Sequence, residues 1–60
     1  MQYDLEPGNF VLNPAEKSWG IGQIQSSINN FITVNFENVG KKTINVNKIN
    51  LEIININAAS

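Results

Sequence analysis

Apolar and polar residues alternate with a period of two along much of the chain, as expected of strands that bury one face. The clearest segment is residues 31–37, whose two faces are Ile32, Val34 and Phe36 against Thr33, Asn35 and Glu37. Shorter segments of similar character lie at residues 9–12, 21–28, 43–46 and 51–54, separated by glycine, proline and asparagine. The pattern therefore predicts five short strands, with a single helical turn at residues 47–50.

The connection between the second and third strands decides which residues face each other. A two-residue turn would pair Gln25 with Val34 and set a polar side chain beside the apolar face. A three-residue loop at residues 28–30 pairs Ile24 with Val34 instead, so that the two apolar faces agree. It also places Asn30 in the left-handed conformation, which asparagine tolerates. We therefore predict the three-residue loop.

Two glycines are predicted to shape the strands. Ile21 and Ile24 are separated by an odd step, so a bulge is needed to keep both inside, and Gly22 is where a bulge costs least. Gly40 is expected to supply the positive φ of the turn between the third and fourth strands.

Five short strands joined by tight turns predict an all-β fold, a small five-stranded antiparallel barrel of the SH3-like or Tudor-like type. The length allows one domain, residues 1–60, with its core at about residues 5–54 and frayed ends. Residues 55–60 in particular are predicted to fray. Closure of the barrel would remove sheet edges that otherwise promote aggregation.

The composition argues against catalysis. The chain has no cysteine and no histidine, so it lacks disulfides, thiolate metal ligands and the usual general base at neutral pH. No two of its carboxylates have the spacing of a catalytic pair; they are Asp4, Glu6, Glu16, Glu37 and Glu52. We predict a non-enzymatic protein with no cofactor and no metal.

The charge pattern predicts a weak electrostatic field. The formal net charge is −1, and the only cations are Lys17, Lys41, Lys42 and Lys48. Proteins that depend on phosphate contacts usually carry a basic excess. No apolar run approaches a membrane span and no signal peptide opens the sequence, so a cytoplasmic protein without membrane contact is expected.

The first candidate site is a set of side chains for binding a protein partner. Trp19 either anchors a partner or caps one end of the barrel, with burial the more frequent outcome in so small a core. Gln23 and Gln25 should point outward, as should Asn35 and Glu37 on the neighbouring strand. Together these four would form a polar patch suited to the backbone amides of a peptide or to base edges. The alternative is an ordinary solvated sheet face.

A second candidate site would bind RNA or DNA directly. Phe31 lies on the outward-facing positions and is predicted to be available for stacking on bases. Lys41 and Lys42 follow the Gly40 turn and would contact phosphates, although a charged hairpin tip is the commoner explanation. Homo-oligomerisation through an unclosed sheet edge is compatible with either site.

Several motifs carry a resemblance to a known family. The segments "LEPGNFVLNP", "WGIGQIQS", "ITVNFENVGKK" and "INLEII" together resemble a short, uncharacterised bacterial domain-of-unknown-function family. The resemblance covers roughly residues 5–54, nearly the whole chain.

That family is in turn similar to the C-terminal Tudor-like domain of UvrD/PcrA-type repair helicases. It is also similar to the polymerase-interacting domains of transcription-repair coupling and CarD-type factors. These share a G-x-G-x-V turn after the first strand, here "GIGQI". The resemblance implies an accessory factor that binds RNA polymerase, or another transcription or repair machine, through a sheet edge near Trp19 and the glutamines.

Overall fold

The computed structural model describes residues 5–54. Five strands occur in this range, with a short 3-10 helix, Lys17–Trp19, between the first two. The strands are β1 (Phe10–Leu12), β2 (Gly22–Ile28), β3 (Phe31–Phe36), β4 (Gly40–Asn45) and β5 (Glu52–Ile54). Most boundaries fall within one residue of those predicted from alternation, although β4 begins three residues earlier, at the Gly40 turn.

All five strands belong to one antiparallel sheet in the order β4-β3-β2-β1-β5. The last strand returns to pair with the first, and β4 and β5 are the outer strands of the sheet within residues 5–54. The predicted all-β class, with five antiparallel strands in a small barrel-like fold, is confirmed. β5 is preceded by a turn at residues 46–48, where Ile49 N donates to Asn45 O at 3.1 Å. The helical turn predicted at residues 47–50 is thus reduced to this short turn.

The concave face of the sheet holds the core. Val11, Ile24 and Val34 are almost fully buried, and Trp19 packs against the core from its rim. The other buried apolar residues in the described range are Leu5, Ile32, Phe36, Ile44 and Leu51. The predicted inward face of β3, in which every second residue is apolar, is therefore the face that packs.

For the β2–β3 connection, the predicted strand pairing is correct and the predicted loop length is wrong. Ile24 does pair with Val34, as predicted. However, Ile28 pairs directly with Phe31, so the turn has two residues. The left-handed residue is Asn29, with φ 54°, and not Asn30 as predicted. A bulge between Ile24 and Ser26 shifts the register by one and restores the apolar pairing.

The bulge predicted at Gly22 is wrong, because Gly22 pairs regularly with Val11 on one side and Phe36 on the other. Gly22 is itself buried, and Ile21 is only half-buried. The glycine serves close packing: a Cβ there would lie 2.4 Å from Val34 Cγ1. The prediction for Gly40 is confirmed, with φ 76°.

Two further predictions concern the ends and the membrane. Residues 55–60, predicted to fray, lie outside the described residues. Among residues 5–54 there is no helix whose length and apolarity would let it cross a membrane.

Candidate functional site

The segment from Ser18 to Ile21 forms a corner that is tied to the β3–β4 turn by four hydrogen bonds. Asn38 N donates to Trp19 O at 3.0 Å, and Asn38 Nδ2 donates to Ser18 O at 2.9 Å. Ile21 N donates to Glu37 Oε1 at 2.8 Å, and Glu37 N donates back to Ile21 O at 3.0 Å. Glu37 and Asn38 therefore fix the corner, and Glu37 is committed to the fold although it is exposed.

Gly20 permits this close approach. Its φ is 81°, a conformation that favours glycine. A Cβ at this position would lie 2.9 Å from Glu37 Oε1 and 3.0 Å from Asn38 Nδ2. A larger residue would thus strain the backbone and displace the side chains that clamp the corner.

Trp19 is half-buried and packs against the rim of the core. Its ring meets that of Phe36 edge-on, with centroids 5.1 Å apart and an interplanar angle of 66°. Lys42 Nζ lies 5.4 Å from the ring centroid, within the range of a cation–π contact. Part of the indole also lines a surface groove. The two alternatives for Trp19, core and surface, are therefore combined in one side chain.

The face of the sheet that points away from the core, called the convex face here, brings Gln23 and Asn35 together. They are direct cross-strand partners, and both are exposed. Paired residues share a face and have neighbouring Cβ atoms. Phe10 continues the row on one side of Gln23, and Lys41 continues it beyond Asn35. Gln25, exposed at the bulge, follows in β2. We call Gln23, Gln25 and Asn35 the amide face.

The glutamines of the amide face are only loosely engaged. Gln23 Nε2 lies 3.4 Å from Gly8 O, and Gln25 Nε2 lies 3.5 Å from Gln23 O. Both distances are at the long end for N–H···O bonds. The primary amides can therefore exchange these contacts for a partner at little cost.

The residues considered for nucleic acid are divided between the two faces of the sheet. Phe31, 52% exposed, lies on the convex face, as does Lys41. Lys42 lies on the opposite side and places its ammonium over Trp19. Phe31 pairs with Asn45 and not with Lys41, so along β4 the aromatic and the lysine are about 13 Å apart.

Sequence reasoning missed two surface features, of which the first is apolar. Ile28, 67% exposed, lies directly opposite Phe31 at the end of the β2–β3 hairpin. The period-two pattern favours burial of the isoleucines. The two-residue turn, which the sequence pattern did not predict, leaves this one on the convex face.

The second feature is a groove of about 580 Å³ between the β1–β2 connection and the turn before β5. Pro14, Trp19 and Ile49 form its apolar walls, and Glu16 and Lys48 contribute opposite charges. These residues are distant in sequence and lie mostly in polar loops. No periodic pattern connects them.

No cluster of three or more metal-ligating side chains is present within residues 5–54. The fold and these surfaces define a small all-β domain whose distinctive chemistry lies in exposed amides and an aromatic groove. A family model described as "Protein of unknown function (DUF3553)" matches residues 5–54. The chain belongs to this family, which confirms the resemblance to an uncharacterised family. No curated protein and no solved structure matches the chain.

Proposed function

We propose that this domain is a non-enzymatic protein-interaction module that binds a larger machine of transcription or repair, RNA polymerase in the first instance. The observation that carries the proposal is the direct pairing of exposed Gln23 with exposed Asn35, with Gln25 beside them. Each primary amide offers donors and an acceptor. Such a row suits the backbone of a partner segment, which presents both.

The choice of partner is supported by the resemblance to Tudor-like domains of repair helicases and to polymerase-interacting domains. In that resemblance a sheet edge makes the contact. β4 is an outer strand of the sheet that residues 5–54 form, and its Lys41 lies beside Asn35. A partner strand added to β4 would therefore run next to the amide face. Trp19 and Glu37 support this surface indirectly, by holding the corner from which β2 starts.

The test is a titration of purified RNA polymerase with the wild-type domain and with its Gln25→Lys and Asn35→Lys variants. We expect each variant to fold normally and to bind about tenfold more weakly, because a cation replaces an amide at the centre of the contact. Asn47→Lys is the matched control, since it makes the same change at an exposed turn position. Its affinity should equal that of the wild type.

Two results would contradict the proposal. One is the absence of polymerase binding by the wild-type domain at micromolar concentration. The other is unchanged affinity of folded Asn35→Lys. Thermal melting of each variant establishes that a loss of binding is not a loss of fold.

Direct binding of RNA or DNA is the second candidate function. It is favoured by the exposed ring of Phe31 on the same face as Lys41. Exposed aromatic rings and cations on one face are typical of single-strand binders. Lys42, turned to the other side over Trp19, does not contribute to this surface.

A further inference from the structure

The hydrogen bonds of β4 alternate between its two sides, and their phase shows which backbone groups face outward. Val46 N donates to Asn30 O at 2.9 Å, directly beyond the last paired residue of β4. In an antiparallel ladder, pairs that bond to each other alternate with pairs that do not. The even-numbered positions of β4 therefore bond to β3, whereas the N–H and C=O groups of Lys41, Thr43 and Asn45 point away from it.

The turn after β4 closes one end of this outer side. Asn45 O accepts a hydrogen bond from Lys48 N at 3.0 Å, and Asn45 Oδ1 accepts one from Asn47 N at 3.0 Å. Lys41 and Thr43 are exposed, and within residues 5–54 no strand pairs with this side of β4. We call the stretch from Lys41 to Thr43 the open edge.

The charges of the open edge disfavour pairing with a second copy of this chain. If two copies paired antiparallel about Lys41 or about Lys42, that lysine would face its own counterpart. Like charges directly opposite each other are destabilising, and lysines at sheet edges protect against self-association. Pairing about Thr43 would place Lys41 opposite Asn45, whose carbonyl is already bonded within the turn.

The same charges favour an acidic strand. Lys41 lies on the convex face and Lys42 on the core side, where its ammonium is 5.4 Å from the centroid of the Trp19 ring. Successive side chains of a strand alternate between the faces of a sheet, so two consecutive carboxylates of an added strand would reach one lysine each. On the β3 side the cross-strand partners of the two lysines are uncharged; they are Asn35 and Val34.

We propose that the open edge binds an acidic, extended segment of the protein partner, added as a strand with two consecutive carboxylates opposite Lys41 and Lys42. The added strand ends before Asn45. This proposal rests on the proposed function, because it specifies the segment that runs beside the amide face. The open edge offers outward backbone groups of only two residues, so the carboxylates decide which segment binds.

The probe is a capped hexapeptide, Thr-Val-Asp-Glu-Val-Thr, titrated into the isotope-labelled domain and followed by NMR. Its comparison peptides carry Asn-Gln or Lys-Lys in place of Asp-Glu. We expect saturable shifts at residues 41–43, with at least about threefold weaker binding of the Asn-Gln peptide and still weaker binding of the Lys-Lys peptide. The difference between the peptides should shrink as salt is added.

Hydrogen exchange tests the phase of the edge independently of affinity. In the free domain the amides of Lys41 and Thr43 should exchange much faster than that of Lys42, which bonds to β3. The acidic peptide should slow exchange at Lys41 and Thr43. A Thr43 amide that is as protected as the Lys42 amide in the free domain would overturn the proposal, whatever the variants do.

Matched variants test the backbone and the charge separately. Thr43→Pro removes an outward N–H, which an edge strand tolerates, and should weaken binding of the acidic peptide at least about fivefold. Thr43→Val keeps the N–H and should bind like the wild type. Lys41→Gln should weaken binding about threefold, whereas Lys17→Gln, in the 3-10 helix, should have no effect.

The outcomes distinguish this proposal from the one on which it rests. Equal binding of the acidic and Asn-Gln peptides, or unchanged binding by folded Thr43→Pro, would overturn it. In the polymerase titration, loss of affinity in Asn35→Lys but not in Thr43→Pro would also overturn it and leave the proposed function intact. Binding of the acidic peptide at the open edge without any binding of polymerase would support it and overturn the choice of polymerase.

Discussion

At the scale of single residues, the two glycines of the "WGIG" corner have different roles. Gly20 has a positive φ and lies against Glu37 and Asn38. Gly22 is not in the left-handed region, yet a Cβ there would lie 2.4 Å from Val34 Cγ1 and 2.7 Å from Phe36 Cδ1. Both of these side chains are core residues with little freedom to move. Space, and not backbone conformation, requires glycine at position 22.

We therefore expect Gly22→Ala to lower the free energy of unfolding by about 2–3 kcal/mol through overpacking. Gly40 has φ 76°, and a Cβ there would meet no other atom within 4 Å. Gly40→Asn should cost no more than about 0.5 kcal/mol, because asparagine tolerates this conformation. Urea unfolding followed by Trp19 fluorescence measures both. Equal costs for the two variants would contradict the steric explanation.

At the scale of elements, the β3–β4 hairpin holds the corner by side chains as well as by backbone. Glu37 Oε1 accepts a hydrogen bond from the chain that precedes β2, and Asn38 Nδ2 donates one to it. These bonds replace sheet pairing where the chain leaves the 3-10 helix and has no strand partner. The hairpin turn is thus part of the architecture of the corner, and not only a connection.

Glu37→Ala is expected to cost about 1 kcal/mol, because Ile21 N loses its acceptor at an exposed site. Glu37→Gln keeps an acceptor oxygen and should cost less than half as much. Glu52→Ala, at an exposed carboxylate in β5, is the control for removal of a charge and should lie within about 0.5 kcal/mol of the wild type. Thermal or urea unfolding gives the values. If Glu37→Gln is as damaging as Glu37→Ala, the hydrogen bond is not the stabilising contact.

The sequence pattern was sufficient for the five strands and for the inward face of β3, because alternation reports directly on burial. It was insufficient for the β2–β3 connection for a specific reason. Ile24 pairs with Val34 either through a three-residue loop or through a bulge at Gln25 that precedes a two-residue turn. The apolar pattern reports only this final pairing. It does not indicate whether the one-residue shift in register arises at the turn or within the strand.

The same distinction applies to the surfaces. The outward direction of Gln23 and Asn35 follows from alternation within each strand, and their direct pairing follows from the register. The hydrogen bonds of Glu37 and the groove at Trp19 depend on loops that cross in space. Glu37 contacts Ile21, sixteen positions away, by a side-chain oxygen, and no periodicity encodes such a contact.

At the scale of the whole molecule, the four lysines are dispersed. Lys41 lies on the convex face and Lys42 over Trp19, while Lys48 lines the groove and Lys17 belongs to the 3-10 helix. The net charge is −1, and within residues 5–54 no face presents a basic stripe of the kind that follows a phosphate backbone. This distribution favours a protein partner over nucleic acid.

The two candidate functions therefore differ in their dependence on salt. For a fluorescently labelled fifteen-nucleotide single strand, we expect the logarithm of the binding constant to fall with the logarithm of salt concentration with a slope no steeper than about −1, since each phosphate contact contributes roughly −0.7. Lys17→Glu and Lys41→Glu carry the same change of charge at different sites and should then behave alike. A slope steeper than about −2, reduced by Lys41→Glu but not by Lys17→Glu, would instead assign the convex face and Phe31 to nucleic-acid binding.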